Sequence, residues 1–174
     1  MAVAVSADGK RLATAGQGVD GKERLIKVWD LQSPADQPLS VIDLGGAWVM
    51  GLAFSPDGCC LATVSVEKGA ADRTHTEVWG IASRKRLLSL PNRQPGDAIQ
   101  FAADGRKIVV AGRDNRIRIF EPARGELSEM LAADAVSGRE RFDVPWDIDV
   151  LAGHTGRVRD IAISPDGSRI ASAS

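Results

Sequence analysis

The chain repeats one phrase four times, and this self-similarity constrains its fold more than any other feature of the sequence. The copies read VAVSADGKRLATAG, LAFSPDGCCLATVS, IQFAADGRKIVVAG and IAISPDGSRIASAS, and they start at Val3, Leu52, Ile99 and Ile161. The aspartates in their turns are Asp8, Asp57, Asp104 and Asp166. Successive aspartates are 49, 47 and 62 residues apart, close to the period of about 40 to 50 residues at which four-stranded units repeat. We therefore expect a repeat protein made of β-sheet units.

Each copy predicts two strands joined by a tight turn. In the second copy, Leu52 and Phe54 alternate with a smaller residue, which is typical of a strand with two distinct faces. The turn at 55–58 reads Ser-Pro-Asp-Gly; the proline presets φ, the aspartate can bond its own backbone and the glycine accepts a positive φ. The Asp-Gly pairs of the four turns are Asp8 and Gly9, Asp57 and Gly58, Asp104 and Gly105, and Asp166 and Gly167.

A third strand ends in an aromatic residue in three of the repeats. The closing pairs are Trp29 and Asp30, Trp79 and Gly80, and Phe120 and Glu121. A Gly-His pair, Gly153 and His154, precedes the fourth copy. With these motifs the chain resembles the WD-repeat β-propeller family, whose repeat combines a Gly-His pair, a Ser-Pro-Asp-Gly turn and a closing Trp-Asp. Only the first closing pair matches that pattern outright.

The resemblance implies an all-β fold, a β-propeller of four-stranded antiparallel blades, with about three and a half blades present. We expect residues 1–174 to form a single partial WD-repeat propeller domain. Its predicted units are blade 1 at about 1–44, blade 2 at about 45–91, blade 3 at about 92–151 and half of blade 4 at about 152–174. We expect the chain to be a piece of a longer propeller. A short protein that assembles into a ring is the alternative.

The resemblance also implies a structural role for the histidine of the Gly-His pair. In the family, a hydrogen-bond relay within a blade joins the histidine, a strand serine or threonine, a turn aspartate and the tryptophan. Blade 4 offers His154 and Ser172. The other blades offer partial sets: Thr14 with Trp29 in blade 1, Thr63 with Trp79 in blade 2, and Asp114 in blade 3. Incomplete relays should weaken individual blades, since each hydrogen bond contributes about 0.5 to 1.5 kcal/mol.

Two connections between second and third strands are longer in blades 1 and 2 than in blade 3. The extra residues lie at 17–23 and 66–73 and contain glycine and charged side chains. Segments of this composition are expected to be surface loops, which often carry binding residues. We favour tolerated length variation over a binding role, because each doubling of a surface loop costs only about 0.6 kcal/mol.

A larger departure lies within 122–152, which exceeds an ordinary blade connection by about 20 residues. One register makes 125–131 the outer strand of blade 3 and leaves an insertion at 132–146 between blades, on the same face as the two long loops. The rival register makes 147–151 the outer strand and moves the insertion to the other face. We favour the first register. The candidate partner-binding residues of the insertion are Arg139, Arg141, Phe142 and Trp146, because exposed aromatics and arginines dominate interface energetics; alternatively, Phe142 and Trp146 pin the loop to the blade.

Composition limits the classes of partner and compartment. No apolar run approaches the roughly 20 residues that span a bilayer, and the first residues lack signal-peptide features. The formal net charge of −1 gives no general attraction to nucleic acid. The adjacent Cys59 and Cys60 are expected to be free thiols, which favours a reducing compartment. We therefore expect a cytoplasmic protein that binds neither membrane nor nucleic acid.

No sequence motif predicts a catalytic, cofactor or metal site. We find no glycine-rich phosphate loop, no histidine pair at metal-ligand spacing and no nucleophile elbow. We expect a non-catalytic scaffold, not an enzyme, that binds a protein or peptide through the propeller rim and loops. Further partners are the remaining blades of its own propeller or further copies of the chain. The alternative is a propeller enzyme or small-ligand-binding domain with a site in the central channel, but only Gln100 and Asp160 interrupt the apolar inner strands.

Overall fold

The computed structural model of the chain describes residues 2–17, 24–33, 37–67, 69–90, 96–122, 127–138, 140 and 145–174. Within this part, three antiparallel sheets of four strands and one of two strands follow one another along the chain. The first contains β1 (Ala2–Val5), β2 (Arg11–Gln17), β3 (Arg24–Asp30) and β4 (Ser40–Asp43). The second contains β5 (Trp48–Phe54), β6 (Cys60–Glu67), β7 (Ala70–Gly80) and β8 (Arg86–Ser89). The third contains β9 (Gly96–Phe101), β10 (Ile108–Gly112), β11 (Arg116–Pro122) and β12 (Trp146–Ala152), and the fourth contains β13 (Asp160–Ile163) and β14 (Ile170–Ala173).

The strands of each sheet are arranged in the order in which they occur in the sequence. The first strands of successive sheets are neighbours: β1 contacts β5, β5 contacts β9, and β9 contacts β13. Sheets that meet through their first strands radiate from a common axis, which is the arrangement of propeller blades. The predicted all-β, partial-propeller fold is therefore confirmed, and we call the four sheets blades 1 to 4.

Side chains of the repeated phrase build the turn between the first and second strands. In blade 2, Ser55 Oγ donates to Asp57 Oδ1 over 2.5 Å and accepts from the Cys60 backbone N–H over 2.9 Å. Gly58 adopts a φ of +69°, a conformation that glycine tolerates without steric cost. In blade 4, hydrogen bonds from Ser164 and Ser168 lower the pKa of Asp166 to about 2. The same serine–aspartate bond is present in blades 1, 2 and 4, whereas Ala102 replaces the serine in blade 3.

Apolar residues fill the spaces between neighbouring blades. Ile26, Val28 and Ile42 of blade 1 meet Leu61 and other side chains of blade 2. Between blades 2 and 3, the buried side chains include Val64, Val78, Leu88, Ile108 and Phe120. A smaller cluster that includes Val109, Ile117 and Ile161 joins blades 3 and 4. Each blade is thus held mainly by burying one face against the next blade.

The favoured register for the end of blade 3 is wrong. Residues predicted as an outer strand at 125–131 lie largely in a helix, α1 (Leu127–Ser137), and β12 supplies the outer strand instead. Leu127, Leu131 and Ala135 are buried, and their spacing of four residues places them on one helix face. Gly138 follows the helix with a φ of +65°, as is common after a helix C-terminus. The rival register, with 147–151 in the outer strand, is therefore correct.

The connection at 66–73 in blade 2 differs from the predicted surface loop. β6 continues to Glu67 and β7 begins at Ala70, and these two residues are paired. Gly69 adopts a φ of +85° at the tip. The extra residues therefore extend a hairpin rather than form an irregular loop. In the corresponding segment of blade 1, residues 18–23 lie outside the described residues.

Among the described residues, no helix has the length and apolar character needed to cross a membrane.

Candidate functional site

The antiparallel order of the strands gives the molecule two rims with different contents. The hairpins that join second to third strands, and the loops that enter β5 and β13, lie at one end of the strands; we call this end the upper rim. The Asp-Gly turns and α1 lie at the opposite end, the lower rim. The insertion of blade 3 is therefore on the lower rim, opposite to the face on which it was expected.

A tryptophan and an arginine are stacked at the upper rim between blades 1 and 2. Trp48, the first residue of β5, is 46% exposed, whereas Arg24, the first residue of β3, is only 5% exposed. The guanidinium carbon of Arg24 lies 3.0 Å from the centroid of the Trp48 ring, a cation–π contact. Within the described residues, Nε and Nη1 of Arg24 have no hydrogen-bond partner. The pair thus combines an exposed aromatic surface with a buried positive charge.

A buried carboxylate gathers two arginines at the upper rim between blades 3 and 4. Asp97 Oδ1 accepts a hydrogen bond of 2.9 Å from Arg113 Nε and one of 2.6 Å from Arg157 Nη2. Arg157 Nε also donates to Asp97 Oδ2. The three residues come from the start of β9, the β10–β11 turn and the β12–β13 loop. Nearby, Asn115 Nδ2 donates to the Thr155 carbonyl over 3.2 Å, so polar contacts join this part of the two blades.

The first strands line an open cavity of about 250 Å³ at the centre of the molecule. Its polar lining includes Asp97, Gln100, Arg159 and Asp160. Gln100 Oε1 accepts from the Ile163 N–H over 3.2 Å, and Asp160 Oδ1 accepts from the Ile161 N–H over 2.9 Å. The two polar residues of the inner strands therefore support the backbone of blade 4. In the part of the chain that is described, no three His, Cys, Asp or Glu side chains come together as metal ligands.

A comparison with protein families identifies the repeats. The family model described as WD domain, G-beta repeat matches residues 37–75 and 146–174. These two segments of the chain are similar to WD repeats. Each matched segment begins with the outer strand of one blade, β4 or β12, and continues into the next blade. Domains built from WD repeats are in general scaffolds for protein interaction. No curated protein is significantly similar to the chain.

The WD-repeat motif residues form two of the predicted hydrogen bonds. In blade 1, Trp29 Nε1 donates to Thr14 Oγ1 over 3.1 Å. In blade 4, His154 Nε2 lies 2.6 Å from Ser172 Oγ, and His154 Nδ1 lies 3.0 Å from Ser174 Oγ.

The other WD-repeat blades depart from this relay. In blade 2, the Trp79 indole N–H is buried without a partner in the described region, and Thr63 Oγ1 lies 3.4 Å from the Glu77 carbonyl that it bonds. In blade 3, Asp114 forms an ion pair with Arg118, with contacts of 3.1 and 2.5 Å. This hydrogen-bonded arginine lowers the pKa of Asp114.

Helix α1 and Ser83 leave little room for a side chain at Gly80, the second residue of the closing pair in blade 2. A Cβ atom at Gly80 would clash with Ser83 Oγ and lie 3.0 Å from the Ala135 carbonyl oxygen and 3.1 Å from the Ala135 Cα. The helix contacts β6, β7 and β8, so it passes over the end of the third strand. An aspartate side chain at this position would therefore collide with both Ser83 and the insertion.

Of the four predicted partner-binding residues, one lies on the lower rim and three lie outside the described part of the chain. Arg139, Arg141 and Phe142 lie outside the described residues. Trp146, the first residue of β12, is half-buried and contacts Phe120 edge-on, with ring centroids 6.2 Å apart. It packs against the core between blades 2 and 3. The sequence analysis did not assign a functional role to the upper-rim residues Arg24, Trp48, Asp97, Arg113 and Arg157. The available signal was Trp48, a tryptophan that belongs to no repeat motif and precedes the second repeated phrase.

Proposed function

We propose that this WD-repeat chain is a non-catalytic scaffold that binds a protein or peptide through its upper rim. The observation that carries the proposal is the exposed face of Trp48 stacked on the buried Arg24. Aromatic and arginine side chains supply a large share of binding energy at protein interfaces. A nearly buried guanidinium also holds the indole in place before a partner arrives, which reduces the entropy lost on binding.

The rigid base of this rim supports the same function. Trp48 pairs with Val66 at the end of the β5–β6 ladder, and Arg24 pairs with Gln17 at the end of the β2–β3 ladder. Both side chains are therefore fixed to strands of neighbouring blades, which pack through the apolar residues between them. Binding groups on rigid elements keep their geometry better than groups on free loops.

The central cavity gives less support to the alternative of an enzyme or small-ligand-binding domain. Asp160 and Gln100 bond to backbone N–H groups of blade 4, and Asp97 is occupied by two arginines. A general base or acid needs a free group within reach of a substrate. These contacts favour a structural use of the polar residues at this position.

A second partner surface in our proposal is the open side of blade 4. A groove of about 340 Å³ between blades 3 and 4 is lined by apolar residues that include Val109, Ile119, Leu151, Ile163 and Ile170. Between blades 1 and 2, the corresponding space contains Trp79; between blades 2 and 3 it contains Phe120. We propose that further β-strands cover this groove and the free edge of β14, either from other blades of the same propeller or from another copy of the chain.

A cytoplasmic location, without membrane or nucleic-acid partners, is part of this proposal. Cys59 is exposed and Cys60 is buried, and both are free thiols. Burial raises the pKa of the Cys60 thiol to about 12, which keeps it in the unreactive protonated form at neutral pH. An exposed free thiol is best preserved in a reducing compartment.

The test of the scaffold function compares two exposed apolar residues on opposite rims. The chain is immobilised, and proteins retained from a cell extract are quantified and mapped by crosslinking. We expect Trp48→Ala to reduce retention of the rim-crosslinked partner at least tenfold, equivalent to about 1.4 kcal/mol. Leu39→Ala is the matched control, since Leu39 is 52% exposed at the lower rim, and it should leave retention unchanged. Equal retention by the wild type and Trp48→Ala would refute the proposed role of the rim.

A further inference from the structure

Asp97 accepts hydrogen bonds from only some of the N–H groups of Arg113 and Arg157. A guanidinium has five N–H donors, and Arg113 donates from Nε alone, whereas Arg157 donates from Nε and Nη2. Within the described residues, their remaining donors meet no acceptor. Both side chains reach solvent, with 26% of the Arg113 side chain and 43% of the Arg157 side chain exposed. Free donors of both groups are therefore accessible at the upper rim.

The charges around this cluster leave an excess of positive charge. Arg159 and Asp160 line the central cavity together with Asp97, so the three arginines of this region face two aspartates. Asp114, in the same β10–β11 turn as Arg113, is already paired with Arg118. The whole chain has a formal net charge of −1. The mouth of the cavity is thus a positive region on a slightly acidic molecule.

We propose that Arg113, Arg157 and Arg159 bind a carboxylate group on an acidic segment of the protein partner at the mouth of the central cavity. The proposal rests on the proposed function, because it specifies the chemistry of the partner that the upper rim binds. Arginine matches a carboxylate with two parallel N–H···O bonds, which gives both strength and orientation.

The buried carboxylate of Asp97 prepares the arginines for this ligand. Two guanidinium groups would repel each other if they were free, but Asp97 holds both through its oxygen atoms. Its side chain is only 5% exposed, so it is inaccessible to a competing cation from solution. A carboxylate that arrives from the solvent side meets donors that are already ordered, and less entropy is lost on binding.

An acidic peptide segment fits this site better than a nucleic acid. One excess positive charge is sufficient to pair one carboxylate. Binding of a phosphate backbone relies on many neutralised phosphates, and the formal charge of this chain opposes such binding. The proposed ligand is therefore a short acidic stretch of a protein.

The experiment measures fluorescence anisotropy of fluorescein-labelled hexaglutamate titrated with the full chain, with hexaglutamine as the neutral probe. We expect hexaglutamate to bind, hexaglutamine not to bind, and the affinity for hexaglutamate to fall as NaCl rises, because solvent-accessible charge pairs are screened by salt. We expect Arg157→Gln to weaken binding about tenfold. Arg113 remains in that variant to pair with Asp97. Arg159→Gln leaves every described contact of Asp97 intact and should weaken binding several-fold.

Arg169→Gln is the matched control, because Arg169 is an exposed arginine at the lower rim and its loss changes the net charge by the same amount. It should leave the affinity within about twofold. Equal losses for Arg169→Gln and Arg157→Gln would show a general charge effect and overturn the proposal. Absence of hexaglutamate binding by the wild type would also overturn it, as would a lower melting temperature of Arg157→Gln with unchanged affinity, which is the signature of a purely structural link between blades.

The two proposals fail in different ways. If Trp48→Ala releases the captured partner while neither arginine substitution affects partner or hexaglutamate, the scaffold function stands and the carboxylate site is refuted. If Trp48→Ala keeps the partner but hexaglutamate binding depends on Arg157 and Arg159, the carboxylate site stands and the role of Trp48 is refuted.

Discussion

At the scale of single residues, equivalent positions of the repeats make different hydrogen bonds. The second strands place Thr14 opposite Val3, Thr63 opposite Leu52, Val110 opposite Ile99 and Ser172 opposite Ile161. Thr14 accepts from an indole and Ser172 meets a histidine, whereas Thr63 makes a long contact to a backbone carbonyl. Val110, the equivalent residue of blade 3, has no polar group in its side chain. The same backbone register therefore supports bonds of unequal strength.

The hydrogen bond between Thr14 and Trp29 should contribute measurably to stability. Thr14→Val removes the acceptor of the Trp29 indole N–H and keeps the shape of the side chain. We expect the free energy of unfolding to fall by about 1 to 2 kcal/mol, the cost typical of a lost hydrogen bond that leaves a partly buried donor unpaired. Urea unfolding followed by tryptophan fluorescence measures this change.

Thr63→Val provides the matched comparison for that prediction. Thr63 has the same register in blade 2, but no indole donates to it, and its own bond is 3.4 Å long. The substitution should therefore cost less than Thr14→Val. A larger loss for Thr63→Val would contradict the assignment of the stabilising bond to blade 1.

At the scale of elements, helix α1 is the feature that departs most from the repeat. It is inserted between β11 and β12 of blade 3, yet it contacts the strands of blade 2. Leu127 and Leu131 are almost fully buried among residues of both blades. Beyond the helix, Glu140 accepts a hydrogen bond of 2.5 Å from Arg86, which also pairs with Glu77 over 2.7 Å. The insertion thus links two neighbouring blades at the lower rim.

Close packing between α1 and β7 predicts the effect of a small substitution at Gly80. Gly80→Ala would bring a Cβ atom against Ser83 Oγ and to 3.0 Å from the Ala135 carbonyl oxygen, and the helix backbone cannot move as freely as a flexible side chain. We expect a loss of about 1 to 3 kcal/mol in the free energy of unfolding, as is typical of overpacking. Thermal and urea unfolding both report this loss.

Gly16→Ala is the control for the contact with the helix. Gly16 also lies within a strand, but a Cβ atom there would meet nothing within 4 Å. Alanine at an unhindered strand position should be neutral or slightly stabilising. If both substitutions destabilise the protein equally, the cost arises from the strands themselves and not from crowding by Ser83 and the helix.

At the scale of the whole molecule, the three spaces between blades are filled unequally. Aromatic residues occupy the first two clusters, but the cluster between blades 3 and 4 has none in the described part of the chain. Leu151 and Val150 on the outer strand of blade 3 are 44% and 47% exposed. Uncovered apolar surface beside an unpaired strand edge favours association with further strands.

The open side of blade 4 therefore predicts self-association of the 174-residue chain. We expect the mass in solution, measured by light scattering or native mass spectrometry, to rise across a concentration series. Ala171→Lys places a charge on the exposed edge strand β14 and should reduce association at least tenfold, since lysine on an edge strand opposes pairing. Ser168→Lys adds the same charge in the preceding turn and should have a smaller effect. A strictly monomeric chain at all concentrations would contradict this prediction.

The sequence alone determined the blades, whereas the tertiary structure decided the sites. Alternation in Leu52 and Phe54 and the local bonds of turns such as 55–58 involve residues close in sequence, so the pattern suffices to predict strands and hairpins. The outer strand of blade 3 was predicted at the wrong place because a short apolar segment is compatible with either a strand or a helix. The spacing of Leu127, Leu131 and Ala135 indicates a helix only once it is known that these residues pack against blade 2.

The residues of the candidate sites could not be predicted from local sequence patterns, for the same physical reason. Asp97, Arg113 and Arg157 are as much as 60 residues apart, and Arg24 meets Trp48 across two blades. Contacts of this kind depend on the rotation and packing of one sheet against the next, which arise from burial summed over many residues. The alternation of apolar residues and the composition of the turns do not predict that rotation. The repeated phrase therefore specifies what each blade is, and only the assembled propeller specifies which charged and aromatic side chains share a rim.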